Sequence, residues 1–199
     1  MVYLKEKWNI IKEFVEKELG KNGEHGLDHI LRVVQYCKYI GKSEGANLDI
    51  LIPAAYLHDI ARPMEIETPL IDHAEEGAKI AEKFLESINY PYIENITYAI
   101  KVHRYRKNLT PETLEAKILQ DADRIDALGA IGIYRVISHS AKTNHSLEHI
   151  LKHFEEKILN LYSRLYTKTA KLIAYDKHKM IVKYVEFLKE ELKFVEVNY

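Results

Sequence analysis

His58 and Asp59, adjacent at the end of the apolar stretch Ala54-Ala55-Tyr56-Leu57, are the residues of this chain whose types and placement point most directly to chemistry. Helical periodicity through Leu51, Ala54, Ala55 and Leu57 puts the doublet where packed side chains belong, and a buried imidazole or carboxylate is costly unless it has a partner. His29 lies upstream on a helix of its own. Asp123 lies downstream within Gln120-Asp121-Ala122-Asp123-Arg124-Ile125-Asp126, so a His, His-Asp, Asp set can be assembled from three segments. Such a mixed nitrogen and oxygen set suits a divalent cation that keeps positions open for water and phosphate.

Each of these residues also has a plainer reading. His25 and His29, four apart, could share a metal or simply be exposed at a helix start, and Asp28 beside them reads as a helix cap. His58 could be satisfied by a backbone carbonyl, and Asp59 could pair with Arg62 at i+3 as an ordinary surface ion pair. His103 extends the stripe Ile93, Ile96, Ile100 by one turn and so points toward the same core; a hydrogen-bonded core histidine is the alternative. His73 follows Asp72 directly and could be a solvated first-turn side chain. Asp121 and Asp123 diverge by about 200 degrees on a helix while Asp123 and Asp126 lie on neighbouring faces. One of the three is therefore expected to ligate and another to pair with Arg124 or cap a turn.

The elements that must position these residues read as helices nearly everywhere. Ile30, Val33, Val34, Cys37 and Ile40 follow the i, i+3, i+4, i+7 rule, as do Leu151, Phe154, Ile158, Leu161 and Leu165. Asp72 with Glu75 is a capping-box pattern that opens a helix with the buried stripe Ala74, Gly77, Ala78, Ala81, Leu85 and Ile88. Thr110-Pro111 reads as the cap and first position of a helix through Leu114, Ile118, Ala122 and Ile125, and Pro91 starts the one through Ile93, Ile96 and Ile100. No stretch alternates with period two between hairpin turns, so the spacing predicts an all-α fold, a compact helical bundle read as a single domain over 1–199. Breaks are expected near Gly20 to Gly23, Gly41 to Gly45, Arg62-Pro63 and Lys107-Asn108. The polar segment from Ser138 to Ser146, with His139, Lys142 and His145, reads as a mobile loop over a site.

Composition narrows the partners. Twenty-nine Lys and Arg against 30 Asp and Glu give a formal net charge of -1, so no global field draws the protein to long nucleic acid or to a membrane surface, and any phosphate ligand needs a local cluster of cations. The one cysteine, Cys37, has no partner for an internal disulfide, which suits a reducing interior and a cytoplasmic location. The N-terminus is charged from its first residues, and no apolar run approaches the roughly 20 residues that span a bilayer.

Four segments together resemble the HD-domain metal-dependent phosphohydrolases: His25-Gly26-Leu27-Asp28-His29-Ile30-Leu31-Arg32-Val33, Ala54-Ala55-Tyr56-Leu57-His58-Asp59-Ile60, Asp72-His73-Ala74-Glu75-Glu76-Gly77-Ala78 and Asp121 to Gly132. His153 to Ile158 and Thr167 to Ala174 are similar to the same small stand-alone subgroup. The resemblance implies a helical bundle with a metal held between central helices by His29, His58, Asp59 and Asp123, the last in preference to Asp121. It implies hydrolysis of phosphate esters or nucleotide anhydrides, with manganese, magnesium, cobalt or nickel as the ion and iron or zinc as further options. Two-metal branches of the family carry further histidines between the doublet and the last aspartate, where His73 and His103 stand here. Arg104-Tyr105-Arg106 after His103 departs from those branches, so one tightly held ion is expected. His25, His73, His103 and Asp126 are then left as outer-shell or second-metal candidates.

On this reading water attacks phosphorus without a protein nucleophile, Asp59, Glu75 or Glu76 accepts its proton, and Arg32, Arg62, Arg104 and Arg124 are candidate phosphate clamps. The expected partner is a small phosphate compound, most simply a nucleotide, bound by a monomer or homodimer. No Walker-type glycine loop or dinucleotide fingerprint competes. Three other readings remain: a non-catalytic nucleotide-binding regulator on the same fold, a phosphodiesterase, and a di-iron oxygenase that would need His73 and His103 on a second metal.

Overall fold

The computed structural model describes residues 2–19, 26–104 and 110–196. Regular structure among these residues is helical throughout, in the order α1 (Val2–Leu19), α2 (Leu27–Glu44), α3 (Leu48–Leu57), α4 (Arg62–Glu67), α5 (His73–Ser87), α6 (Ile93–Val102), α7 (Leu114–Asp126), α8 (Gly129–Thr143), α9 (Leu147–Glu156) and α10 (Lys168–Glu196). The fold is all-α, as the periodicity predicts. No described helix is long and apolar enough to cross a membrane. The backbone groups into two compact units, Met1–Ala122 and Asp123–Tyr199.

In the first unit α3 is the central element and packs against α1, α2, α5 and α6. Every residue from Ile50 to Leu57 is buried, the expected fate of a helix that is apolar on all sides. Asn47 caps it by accepting from the Asp49 N–H. Pro53 inside this helix removes the N–H that would have bonded the Asp49 carbonyl one turn earlier. The fold supplies another donor: the buried Tyr90 hydroxyl, beyond the end of α5, donates to Asp49 O at 3.0 Å and accepts from Trp8 Nε1 of α1 at 3.0 Å. Burial pushes the Tyr90 phenol up to about 12, so it stays a donor at any physiological pH.

Caps set where the site-bearing helices begin and end. Asp72 caps α5 through the N–H groups of Ala74 and Glu75, and the buried face is His73, Ala74, Gly77, Ala78, Ala81 and Leu85. Glu75, in the first turn, also pairs with Lys101 at 3.5 Å. Gly26, without a side-chain cap, precedes α2; Asp28 sits in its first turn. Thr110-Pro111 does not start α7. Thr113 does so, directly before Leu114, its Oγ1 accepting from Ala116 N at 3.2 Å. The break expected near Arg62-Pro63 is present between α3 and α4, and Arg62-Pro63 opens α4, with proline in the first turn where its missing N–H costs nothing.

In the second unit α10 packs against α8 and α9. The turn into α8 needs Gly129 at φ 72°, and a Cβ on Gly132 would overlap the Ala127 carbonyl oxygen. The stretch Ser138 to Thr143 is the last part of α8 and not a loop; His139, Lys142 and Thr143 are exposed while Ser140 is buried, and Asn144, at positive φ, His145 and the cap Ser146 separate α8 from α9. The stripe from Leu151 to Leu165 is likewise broken: α9 ends at Glu156 and two short 3-10 turns carry Ile158, Leu161 and Leu165 inward.

Replacing Tyr90 by Phe removes the donor to the part-buried Asp49 carbonyl. The variant is expected to lose about 1–3 kcal/mol of stability, read as a thermal midpoint lower by roughly 2–4 °C per kcal/mol for a chain of this size; an unchanged midpoint would show that Pro53 needs no surrogate donor.

Candidate metal centre

Two apolar helices of the first unit end in histidine, and the same local bond orients both. His58 terminates α3 and His103 terminates α6. Helix ends leave carbonyls unsatisfied, and each imidazole turns back on its own last turn: His58 Nδ1 lies 2.9 Å from Ala55 O and His103 Nδ1 lies 2.6 Å from Ile100 O. A carbonyl only accepts, so Nδ1 carries the proton in both rings and Nε2 is left as a lone pair. The two other histidines come from helix starts, His29 in the first turn of α2 and His73 as the first residue of α5. His73 Nδ1 is 2.8 Å from Glu65 Oε2, which fixes the same tautomer by the same logic.

All four Nε2 atoms converge on Asp59, which follows His58 in the turn after α3. On one side His29 and His58 Nε2 stand 3.3 Å apart and 3.8 and 3.9 Å from Asp59 Oδ2. On the other, His73 and His103 Nε2 stand 3.3 Å apart and 3.3 and 3.5 Å from Asp59 Oδ1. The rings meet edge to face, with centroids 5.1–5.3 Å apart. His29 and His58 are wholly buried, and Asp59, His73 and His103 are 2%, 1% and 4% exposed. The group is thus two triads, His29, His58, Asp59 and Asp59, His73, His103, sharing one carboxylate.

This donor set fits a divalent ion. Two nitrogens that share a metal at about 2.0–2.1 Å are themselves roughly 2.8–3.0 Å apart at octahedral angles and 3.3–3.4 Å apart at tetrahedral ones. At His73 and His103, where Nδ1 carries the proton in both rings, the two Nε2 lone pairs face one another beside Asp59 Oδ1 and are favoured by positive charge between them. Protonation of His73 does not supply it near neutrality, because burial pushes that imidazole down to about 4, reinforced by Arg62 and His103, against the opposing pull of Asp59 and Glu65.

The remaining sequence candidates fall around this cluster in different ways. Arg62 does approach Asp59, with Nε 3.7 Å from Oδ2, but the carboxylate is buried and the pair is no surface ion pair. Arg62 Nη1 donates to Glu65 Oε2 at 2.6 Å, and Arg104 holds Glu65 Oε1 at 2.6 Å and Asp72 Oδ2 at 2.9 Å. Burial would raise the Glu65 carboxyl, yet His73, Arg62 and Arg104 together outweigh it and hold it below its ordinary value. Glu75 and Glu76 face Lys101 and Lys79 at the surface, at 3.5 and 3.0 Å. Arg32 lines a shallow groove along α2 with Leu31, Gln35 and Tyr36. His25 lies outside the described residues.

In the second unit Asp123 is half-buried, Asp126 binds Arg135 at 2.7 Å, and Arg124 donates to Arg164 O at 2.7 Å with its guanidinium over Tyr166. Both triads are complete within the first unit, and the ligand role of Asp123 rests on the sequence resemblance. Two side chains that the sequence does not single out also support the cluster. Glu65 is one; the other is Gln120, whose Nε2 donates to Val102 O at 2.6 Å, next to His103. Only the i+3 spacing of Arg62 and Glu65 hints at the first.

The HD domain family profile matches residues 26–128, more than half of the chain and all five residues of the paired triads. The chain belongs to the HD domain family. Among solved structures this HD protein is similar to a predicted HD superfamily hydrolase from an uncultured Thermotogales bacterium, at 31% identity over 92% of each chain with a TM-score of 0.68. It is similar over its length to YpgQ of Bacillus subtilis, an uncharacterized protein, at 26% identity over 94% of this chain and 95% of that one. The structure of YpgQ gives a TM-score of 0.77, and its complex with ADP gives 0.72 at 27% identity, covering 94% of this chain and 96% of YpgQ. Ribonuclease Y of Thermoanaerobacter pseudethanolicus is 28% identical over 67% of this chain but only 24% of its own length.

Because Asp59 serves both triads, Asp59→Ala is expected to weaken divalent-ion binding in every step seen by titration calorimetry with Mn2+, whereas His29→Ala and His103→Ala each weaken one step. Equal losses in all three variants would show that the triads do not act as separate subsites.

Proposed function

We propose that this HD protein is a divalent-metal-dependent phosphohydrolase that cleaves a phosphoester or phosphoanhydride bond of a nucleotide or related small phosphate compound. The observation that carries the reading is the pair of triads on Asp59, with three of the four imidazoles held in the tautomer that ligates and all of them removed from solvent. His29 and His58 would hold one ion with Asp59. His73 and His103 would hold another, so the paired geometry favours two ions over the single ion expected from the departure at Arg104-Tyr105-Arg106. When bound, such ions supply Lewis acidity that activates water and offsets charge on phosphate oxygens. The protein's own part is to exclude bulk water, to keep the Nε2 lone pairs deprotonated, and to orient the ligands through the Ala55 and Ile100 carbonyls and the Glu65 carboxylate.

The likeness to YpgQ, solved with ADP, supports a nucleotide as the substrate class. The absence of a strong net charge is consistent with a small substrate rather than a long polyanion. The family match runs through the boundary between the two backbone units, which supports reading 1–199 as one hydrolase domain.

The test is a hydrolysis screen of nucleoside mono-, di- and triphosphates and of phosphodiesters with Mn2+, Mg2+, Co2+ and Ni2+, detecting phosphate and pyrophosphate separately. Turnover of a nucleotide is expected, with metal binding and activity abolished in His58→Ala and helix content unchanged. Full turnover in that variant would refute the assignment, turnover of diesters alone would replace it with a phosphodiesterase, and silence across the panel with ions bound would replace it with a binding regulator.

A further inference from the structure

Glu65, six residues beyond Asp59 on α4, is bonded to three side chains from separate segments. Its Oε2 lies 2.8 Å from His73 Nδ1 and accepts from Arg62 Nη1 at 2.6 Å; its Oε1 accepts from Arg104 Nη2 at 2.6 Å. Arg104 also holds Asp72 Oδ2 at 2.9 Å, while the other Asp72 oxygen caps α5. His73 is therefore tied twice to one guanidinium, through the cap of the helix that it begins and through the carboxylate against its ring.

We propose that Glu65 is a positioning residue that accepts the Nδ1 proton of His73 and so presents the Nε2 lone pair to Asp59 and His103, with Arg62 and Arg104 serving as its counter-charges rather than as phosphate clamps. Two geometric facts carry this. First, a ring nitrogen and a carboxylate oxygen at 2.8 Å require a proton between them, because two lone pairs at that distance repel. Arg62 Nη1 also lies 3.2 Å from His73 Nδ1, but that contact is longer and the same nitrogen already donates to Glu65 at 2.6 Å. Second, the charges near the two guanidiniums are already matched. Arg62 meets Asp59 and Glu65, and Arg104 meets Glu65 and Asp72, so a phosphate would have to displace carboxylates to reach them. A carboxylate behind a ligating histidine raises its basicity and fixes its orientation, and losing such a partner typically costs about 10–100-fold in metal affinity.

The consequence for metal rests on the two-ion reading above; the tautomer does not. The experiment records nitrogen-15 spectra of the histidine rings in the metal-free chain, for the wild type, Glu65→Gln and Glu65→Ala. His73 is expected as the Nδ1–H form in the wild type and in Glu65→Gln, whose amide oxygen still accepts, and as a mixture with Nε2–H in Glu65→Ala. Titration with Mn2+ then reads the effect: one binding step of Glu65→Ala weakens about 10–100-fold, the other is unchanged, and Glu65→Gln loses less.

A wild-type His73 in the Nε2–H form overturns the proposal without any variant, and so does a Glu65→Ala protein that keeps the Nδ1–H form alone. If the wild type binds a single ion while Glu65→Ala still shifts the tautomer, the two-ion reading fails and the role of Glu65 stands.

Discussion

A carboxylate taken out of water among four imidazoles, at the point where an apolar helix stops, is the constraint around which the first unit is arranged. Asp59 is 2% exposed, and burying an anion is unfavourable unless compensating charge is built in. Here burial holds the His73 imidazole well below its ordinary value and the nearest guanidinium nitrogen is 3.7 Å away, so a cation held between the side chains would supply the compensation. The cluster is thus suited to a divalent ion, whose charge would offset the repulsion among its donors.

Helix termini provide the orientation that this requires. An apolar helix that ends in the core leaves carbonyls without partners, and histidine answers both needs at once, satisfying a carbonyl with Nδ1 and offering Nε2 to the centre. His58 and His103 do this on α3 and α6. His73 begins a helix, where no such carbonyl is available, and its ring is held by Glu65 instead. The difference follows from the polarity of the helix: its start exposes N–H donors and its end exposes acceptors.

The scaffold meets its own requirement in the same way. Pro53 interrupts the bonding of the most buried helix, and a phenol delivered from beyond α5 replaces the missing donor. The packing of α1, α3 and the end of α5 is therefore linked through Trp8, Tyr90 and Asp49, and α3 carries the doublet at its far end.

Much of this was legible in the residues alone. The 3.6-residue spacing determined the all-α class and the inward faces, and an imidazole and a carboxylate at the end of a buried apolar run marked the candidate metal centre, because such a pair is not buried without a reason. The Asp72 cap was readable too, since a cap satisfies N–H groups two or three residues ahead, a purely local spacing. Other features were not. Thr113 displaces Thr110 as the cap of α7, and the polar end of α8 is helix rather than loop; local pattern does not distinguish neighbouring hydroxyls or an exposed helical face from a turn. Whether His73 and His103 stand as close to Asp59 as His29 and His58 do, and that Glu65 and Gln120 brace them, was decided by tertiary structure. These contacts join segments 8 to 44 positions apart, as in His73 with Glu65, Gln120 with Val102 and His103 with Asp59. Sequence spacing sets which face of its own helix a residue occupies, but only the packing of helices sets which faces meet.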